Sequence, residues 1–234
     1  MRHPWRALSI SAAATALVLV SAGTAGAEPV SDTEASVLLQ PADLHFDYGR
    51  IVSDESNSPG PGGGLASTCE PLSEGRPQVV GRNAQRLILN DIVYSAGATW
   101  SSMVFIYPSA QEANASYRQL RDRTLLRCRG KITDSVGDDD LFVPAVQANT
   151  AHRLPLLDAA KPRFVNAAST ILLAPKDAPR GYHSDFSFMV TTLDANAVIQ
   201  VRVFASTPLN ARVRADALRA SSAVAQRYAT APWK

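Results

Sequence analysis

The 234-residue chain is 46% hydrophobic and 19% charged, with 23 Lys and Arg set against 21 Asp and Glu. That balance excludes a strong global pull toward nucleic acid. Past the first segment, no apolar run is long enough to cross a bilayer.

Residues 1–27 read as an export signal: Arg2, His3 and Arg6 form a basic head, 7–20 an apolar run, and Ala25-Gly26-Ala27 a small-x-small cleavage site. No cysteine lies near the cut, so a lipid-modified N-terminus is not expected. Loss of Arg2 and Arg6 leaves a formally neutral mature chain, secreted and without a transmembrane anchor. Residues 28–36 are polar and read as a flexible leader, and 37–234 as one domain with an ample core. Leu38-Leu39-Gln40-Pro41-Ala42-Asp43-Leu44 predicts a short helix start, with Pro41 at an early position where its missing N–H does no harm.

Residues 53–67 contain Pro59, Gly60, Pro61, Gly62, Gly63 and Gly64 and predict a surface loop. A phosphate cradle is the sharper reading, but the run lacks the Lys-Ser/Thr ending and a helix pattern after it. Cys69 and Cys128 are the only cysteines, and in an exported chain they most simply form one disulfide. A reactive or metal-binding thiol pair is the alternative, though the spacing matches no zinc motif.

Residues 85–95 predict a strand, and Gly97 a turn. The most informative stretch follows, over 100–128. Met103, Phe105 and Tyr107 alternate with Val104 and Ile106, which predicts a strand buried on both faces. Pro108 stops it, and Ser109 with Glu112 has the spacing of a capping box. Ala113, Tyr117, Leu120, Thr124 and Cys128 then fall on one face of a long helix. Asp138-Asp139-Asp140 lacks the alternating spacing of a calcium loop and reads as an exposed turn. Residues 144–162, with Pro144, Pro155 and Pro162, are expected to be mostly irregular, and 170–174 a short strand.

Near the C-terminus, 185–193 and 197–206 predict a hairpin around Asp194-Ala195-Asn196. Thr207-Pro208 has the form of an N-cap and first helical position. Val213, Ala217, Ala220, Val224 and Tyr228 make the buried stripe of a last helix. Two strand-then-helix units predict an α+β fold: a twisted antiparallel sheet with helices packed on one face and a cleft on the other face or between the units.

No motif announces catalysis. His45, His152 and His183 stand outside any paired metal spacing, and no G-x-S-x-G elbow is present. Arg118, Arg121, Arg123, Arg127, Arg129 and Lys131 crowd the end of the central helix and its exit. They read either as a solvated flank suited to a helix C-terminus or as a patch for an anionic ligand, with Arg118 and Arg121 as its candidates. Asn114-Ala115-Ser116 fits a glycosylation sequon but falls inside a helix.

The exported leader, LLQPADL near the mature start, a cysteine about thirty residues on, VFIYPSAQEANASYRQL and a cysteine closing that helix together resemble the PknH-like extracellular sensor domain family of actinobacterial receptor kinases, secreted proteins and lipoproteins. The resemblance spans residues 37–228 and implies an α+β domain with a ligand cleft. This chain departs from the kinase-attached members in lacking a kinase domain, a membrane anchor and a second cysteine pair. No catalytic residue is carried over; Cys69 and Cys128 are, in a structural role. The reading is therefore a secreted, non-catalytic, ligand-binding or sensor-like domain of the cell envelope, taking an unidentified small molecule or envelope glycolipid and no cofactor, metal or nucleic acid. Its rivals are a secreted hydrolase with an unrecognised Ser-His-Asp site and a module that binds an envelope protein.

The pairing has a direct test. A Cys69–Cys128 bridge closes a loop of about 60 residues and stabilises by roughly 4 kcal/mol on the chain-entropy argument. Replacing both with Ala should lower the melting temperature in non-reducing buffer, and thiol titration of the native protein should find none free. Two thiols per chain would end the assignment.

Overall fold

The computed structural model describes residues 30–45, 47–57, 65–66, 79–127, 130–136, 143–153, 161–172 and 184–232. The export signal, Cys69, Cys128, Asp138-Asp139-Asp140 and His183 lie outside them. Among the described residues one eight-stranded sheet dominates. Its strands are β1 (Ile51–Asn57), β4 (Arg86–Tyr94), β5 (Ala98–Ile106), β6 (Gly130–Val136), β7 (Val143–Arg153), β8 (Arg163–Leu172), β9 (Ser184–Asp194) and β10 (Ala197–Ala205). Their spatial order is β1-β4-β5-β10-β9-β8-β7-β6, with every neighbouring pair antiparallel. A two-stranded ribbon of β2 (Leu65–Ala66) and β3 (Val79–Val80) stands beside it. The helices are α1 (Asp32–Ala35), α2 (Ala110–Arg127) and α3 (Ala211–Ala229), with a 3-10 turn at Pro41–Asp43. The expected α+β architecture is what forms.

The expectation of helices on one face does not hold. α3 buries Val213, Ala217, Ala220, Val224 and Tyr228, the predicted stripe, against Ile88, Val104, Val190, Ile199 and Val201. α2 buries Ala113, Tyr117 and Leu120 against Leu87, Phe105, Phe164 and Val198. Leu87 and Ile88, Val104 and Phe105, and Val198 and Ile199 are adjacent in their strands and point to opposite sides. The two helices therefore sandwich the sheet. The cause is legible in β5 and β10, which are apolar at both parities and need cover on both sides.

Local signals were met unevenly. Ser109 Oγ accepts from the Glu112 N–H at 3.2 Å, but the Glu112 carboxylate turns to Arg82 Nη1 at 2.7 Å, so the box closes on one side only. The last helix starts later than Thr207-Pro208 suggests: Asn210 is the N-cap, its Oδ1 accepting from the Arg212 and Val213 N–H groups at 2.9 and 3.0 Å. Residues 144–153, expected to be irregular, lie in β7, with Pro144 next to the strand's first residue, a position where proline is tolerated. β8 begins at Arg163, well before the short strand expected at 170–174. Residues 53–57, read as loop, extend the edge strand β1, whose Asp54 and Glu55 suit an edge that must not recruit further strands. Gly81, at φ +82°, ends the ribbon so close to α2 that a Cβ there would sit 2.7 Å from Ser116 Cβ, and the Arg82 N–H donates to Ser116 Oγ at 3.0 Å. Ser116 is thus buried, in keeping with a sequon of no consequence.

Residues 31–36 of the supposed leader are also structured. Ser31 and Glu34 form a reciprocal capping box on α1, and the buried Glu34 carboxylate meets Arg86 at 2.8 Å. The chain then leaves α1 through a turn, in which the Val37 and Leu38 N–H groups donate to Glu34 O and Ala35 O, and crosses the α3 side of the sheet, burying Val37, Leu38 and Leu39. It has no strand partner there, so side chains satisfy the backbone groups that the turn leaves open. Ser102 Oγ accepts from the Leu39 N–H at 2.9 Å, and Asn90 Nδ2 donates to Leu39 O at 2.8 Å. Arg227 Nη2 and Nε donate to Leu38 O and Val37 O, while its other contacts are the two oxygens of Asp43 at 2.8 and 2.7 Å. Removing one member of a pair so little exposed leaves the other charge stranded. Asp43→Ala and Arg227→Ala should each cost about 2–4 kcal/mol in urea unfolding, and the double variant less than their sum.

Three buried tyrosines set an alkaline limit. Burial raises the pKa of Tyr107 and Tyr228 from 10.0 to about 12. Burial, then the hydrogen bond to Asp216, raises Tyr48 further. A phenol whose folded pKa exceeds its unfolded value lends stability that is whole below the unfolded pKa and lost above it. The melting temperature should therefore fall from about pH 10 upward, with tyrosinate absorbance rising together with unfolding rather than before it. Tyrosinate formation at Tyr48, Tyr107 or Tyr228 in the still-folded protein near pH 10, assigned by Tyr→Phe variants, would contradict the burial argument.

Candidate functional site

Arg118 and Arg121 line neither the depression beside Tyr48 nor the groove between α3 and β8. Arg118 is exposed, and Arg121 is half-buried, with Nη2 2.7 Å from Asp122 Oδ1 and its guanidinium 5.9 Å from the Tyr117 ring centre. His45 is exposed, and no group of three His, Cys, Asp or Glu among the described residues could hold a metal ion. A small depression of ≈250 Å³ between Tyr48, Ala98, Val203 and Val213 is mostly apolar.

The larger space lies toward the other end of α3, where the helix meets the start of β8, and measures ≈540 Å³. Leu218, Ser222, Ala225 and Ala229 step along one flank of α3, next to the stripe that faces the sheet. Lys161 and Arg163 enter from the strand side on either flank of Pro162, and Arg219 from the helix. The helix thus carries two adjoining faces. The stripe was visible in the sequence, whereas the flank was not, because its alternation of Ala, Ser, Arg and Gln looks like ordinary solvated surface.

Each cation is held from behind. Lys161 Nζ sits 2.7 Å from Asp194 Oδ2. Arg219 Nη2 meets Asp216 Oδ1, and its Nε donates to Asp43 O at 3.2 Å. Asp216 is steadied in turn by the Tyr48 hydroxyl, which donates to Oδ2 at 2.8 Å. Arg163 Nη1 donates to Ser222 Oγ at 2.9 Å. A lysine offers three donors and an arginine five, so these contacts aim Lys161 and Arg219 without consuming all of their capacity. No acidic residue lines the groove among the described residues. The Ser222 hydroxyl donates to Leu218 O and faces a guanidinium rather than a base, an arrangement that does nothing to activate it as a nucleophile. The site thus offers aimed positive charge over an apolar floor. Sequence reasoning passed over Lys161, Arg163 and Arg219; the only signal was a Lys-Pro-Arg triplet in a stretch that looked irregular.

No protein-family profile matches this chain, and no curated protein matches it in sequence. Among solved structures, the extracellular domain of PknH from Mycobacterium tuberculosis is similar in fold, with a TM-score of 0.50 at 11% identity, over 86% of this chain and 100% of that one. At that identity the likeness speaks to fold alone. No described helix is long and apolar enough to cross a membrane.

Proposed function

We propose that the chain is an exported, sensor-like domain that holds an anionic small molecule of the cell envelope between α3 and β8, without turning it over. One observation carries the reading: Lys161, Arg163 and Arg219 converge on a groove of ≈540 Å³ that no acid among the described residues lines. That volume falls within the range of roughly 300–1,000 Å³ typical of small-ligand sites. Guanidinium and ammonium donors suit phosphate or carboxylate oxygens, and the Leu218, Ala225 and Ala229 flank suits a ring or the first carbons of an acyl chain. A phosphosugar or an anionic glycolipid headgroup fits both halves. The fold shared with an extracellular domain of a kinase, and the signal-like residues 1–27, support an export setting.

Binding to panels of anionic lipid and phosphosugar should weaken by roughly tenfold or more in Lys161→Ala with Arg163→Ala, as loss of charge-assisted hydrogen bonds implies. Arg118→Ala with Arg121→Ala should leave it unchanged. The reverse pattern would move the site to α2, and steady turnover of an ester or glycoside would replace the binding reading with an enzyme.

A further inference from the structure

The face that α2 covers is not covered evenly. β10 lies in the middle of the sheet, and its Val198, Gln200, Arg202 and Phe204 point to the α2 side, opposite Ile199, Val201 and Val203. Val198 packs beneath α2. Beyond it the same face turns polar. Gln200 is buried and donates to Thr191 Oγ1 at 3.4 Å. One step further, Arg202 lies in a cross-strand row that runs Asp91, Ser101, Arg202, Met189, Asn166 from β4 to β8.

Arg202 is unlike the arginines of the groove. Its guanidinium stacks 3.4 Å from the centre of the Phe204 ring, and its Nε is buried without a hydrogen-bond partner among the described residues. No carboxylate among the described residues forms an ion pair with it. Asp91 stands two strands away, about 10 Å at the backbone, and acts on it only through space. Burial lowers the pKa of Arg202 and Asp91 opposes the shift, and the group stays a cation at neutral pH. A half-buried cation in mid-sheet whose buried Nε–H is unmet among the described residues is destabilising. Such a local conflict persists in folded proteins chiefly where a bound group resolves it.

We propose that Arg202 anchors a second ligand site, on the opposite face from the groove, for a small organic carboxylate. The planar fork accepts both carboxylate oxygens in parallel. Phe204 holds the fork flat from one side, and Met103 and Met189 give the rest of the ligand apolar contact across the neighbouring strands. Asp91 in the same row favours a singly charged anion over a dianionic phosphate. No elements are shared with the α3 groove, apart from the sheet itself.

The test uses the whole protein and sodium benzoate as the probe. The Arg202 Nε–H resonance, assigned by its loss in Arg202→Lys, should shift saturably with benzoate and slow its exchange with water, whereas inorganic phosphate should shift it far less. Lys161→Ala with Arg163→Ala should leave that titration intact. Arg202→Met removes an unpaired charge, so it should melt no lower than the parent while losing benzoate binding by roughly tenfold or more. A resonance that moves no more with benzoate than with chloride overturns the proposal, whatever Arg202→Met does. Equal saturable shifts with phosphate overturn the carboxylate assignment.

Discussion

The backbone of residues 37–39 runs buried across one face of the sheet without a strand to pair with, and the arrangement of that face depends on how its polar groups are satisfied. An unpaired peptide group in a dry core costs about as much as a lost hydrogen bond. Asn90 and Ser102 supply the answer from inside the sheet, bonded to each other at 2.6 Å and to both sides of Leu39. Arg227 supplies it from α3 and anchors to Asp43. The segment, the sheet and the last helix are therefore fixed relative to one another by directional contacts, with apolar burial filling the space between them.

The candidate groove inherits that rigidity. Arg219 donates to the carbonyl of Asp43, whose carboxylate holds Arg227, and pairs with Asp216, which accepts from Tyr48. Tyr48 packs edge-on to Trp100, with ring centres 5.2 Å apart. A cation that would otherwise sample many rotamers is held by a chain of contacts running from the N-terminal segment into the aromatic core. Pre-organisation of this kind lowers the entropy lost on binding. It also ties recognition to the integrity of a segment that touches no ligand.

The two faces of the sheet treat positive charge in opposite ways. On the α3 side, Lys161 and Arg219 have carboxylates behind them, so their charge is oriented and largely offset. On the α2 side, Arg202 rests on an aromatic ring with no counter-ion in contact among the described residues. Paired cations cost the fold little and bind by residual donors, whereas an unpaired one costs stability until something arrives. A molecule with both would respond to two anions on two faces of one sheet, with β9 contributing to each.

Much of this molecule was written in its sequence. The alternation through Met103, Val104, Phe105 and Ile106, the stripe from Val213 to Tyr228 and the stripe from Ala113 to Thr124 follow from periods of 2 and 3.6, which are properties of a few successive residues. The antiparallel α+β class follows from their order. The edge strands β1 and β6, and β7 beside β6, escaped because they carry polar and small residues without a clean period. Only the tertiary structure decided which face each helix takes, that Asn90 and Ser102 serve the backbone of Leu39, and that Lys161 and Arg163 meet an arginine on α3. The physical reason is sequence separation. Leu39 and Ser102 are 63 residues apart, Arg163 and Ser222 are 59 apart, and Asp43 and Arg219 are 176 apart, so no local pattern records that they touch.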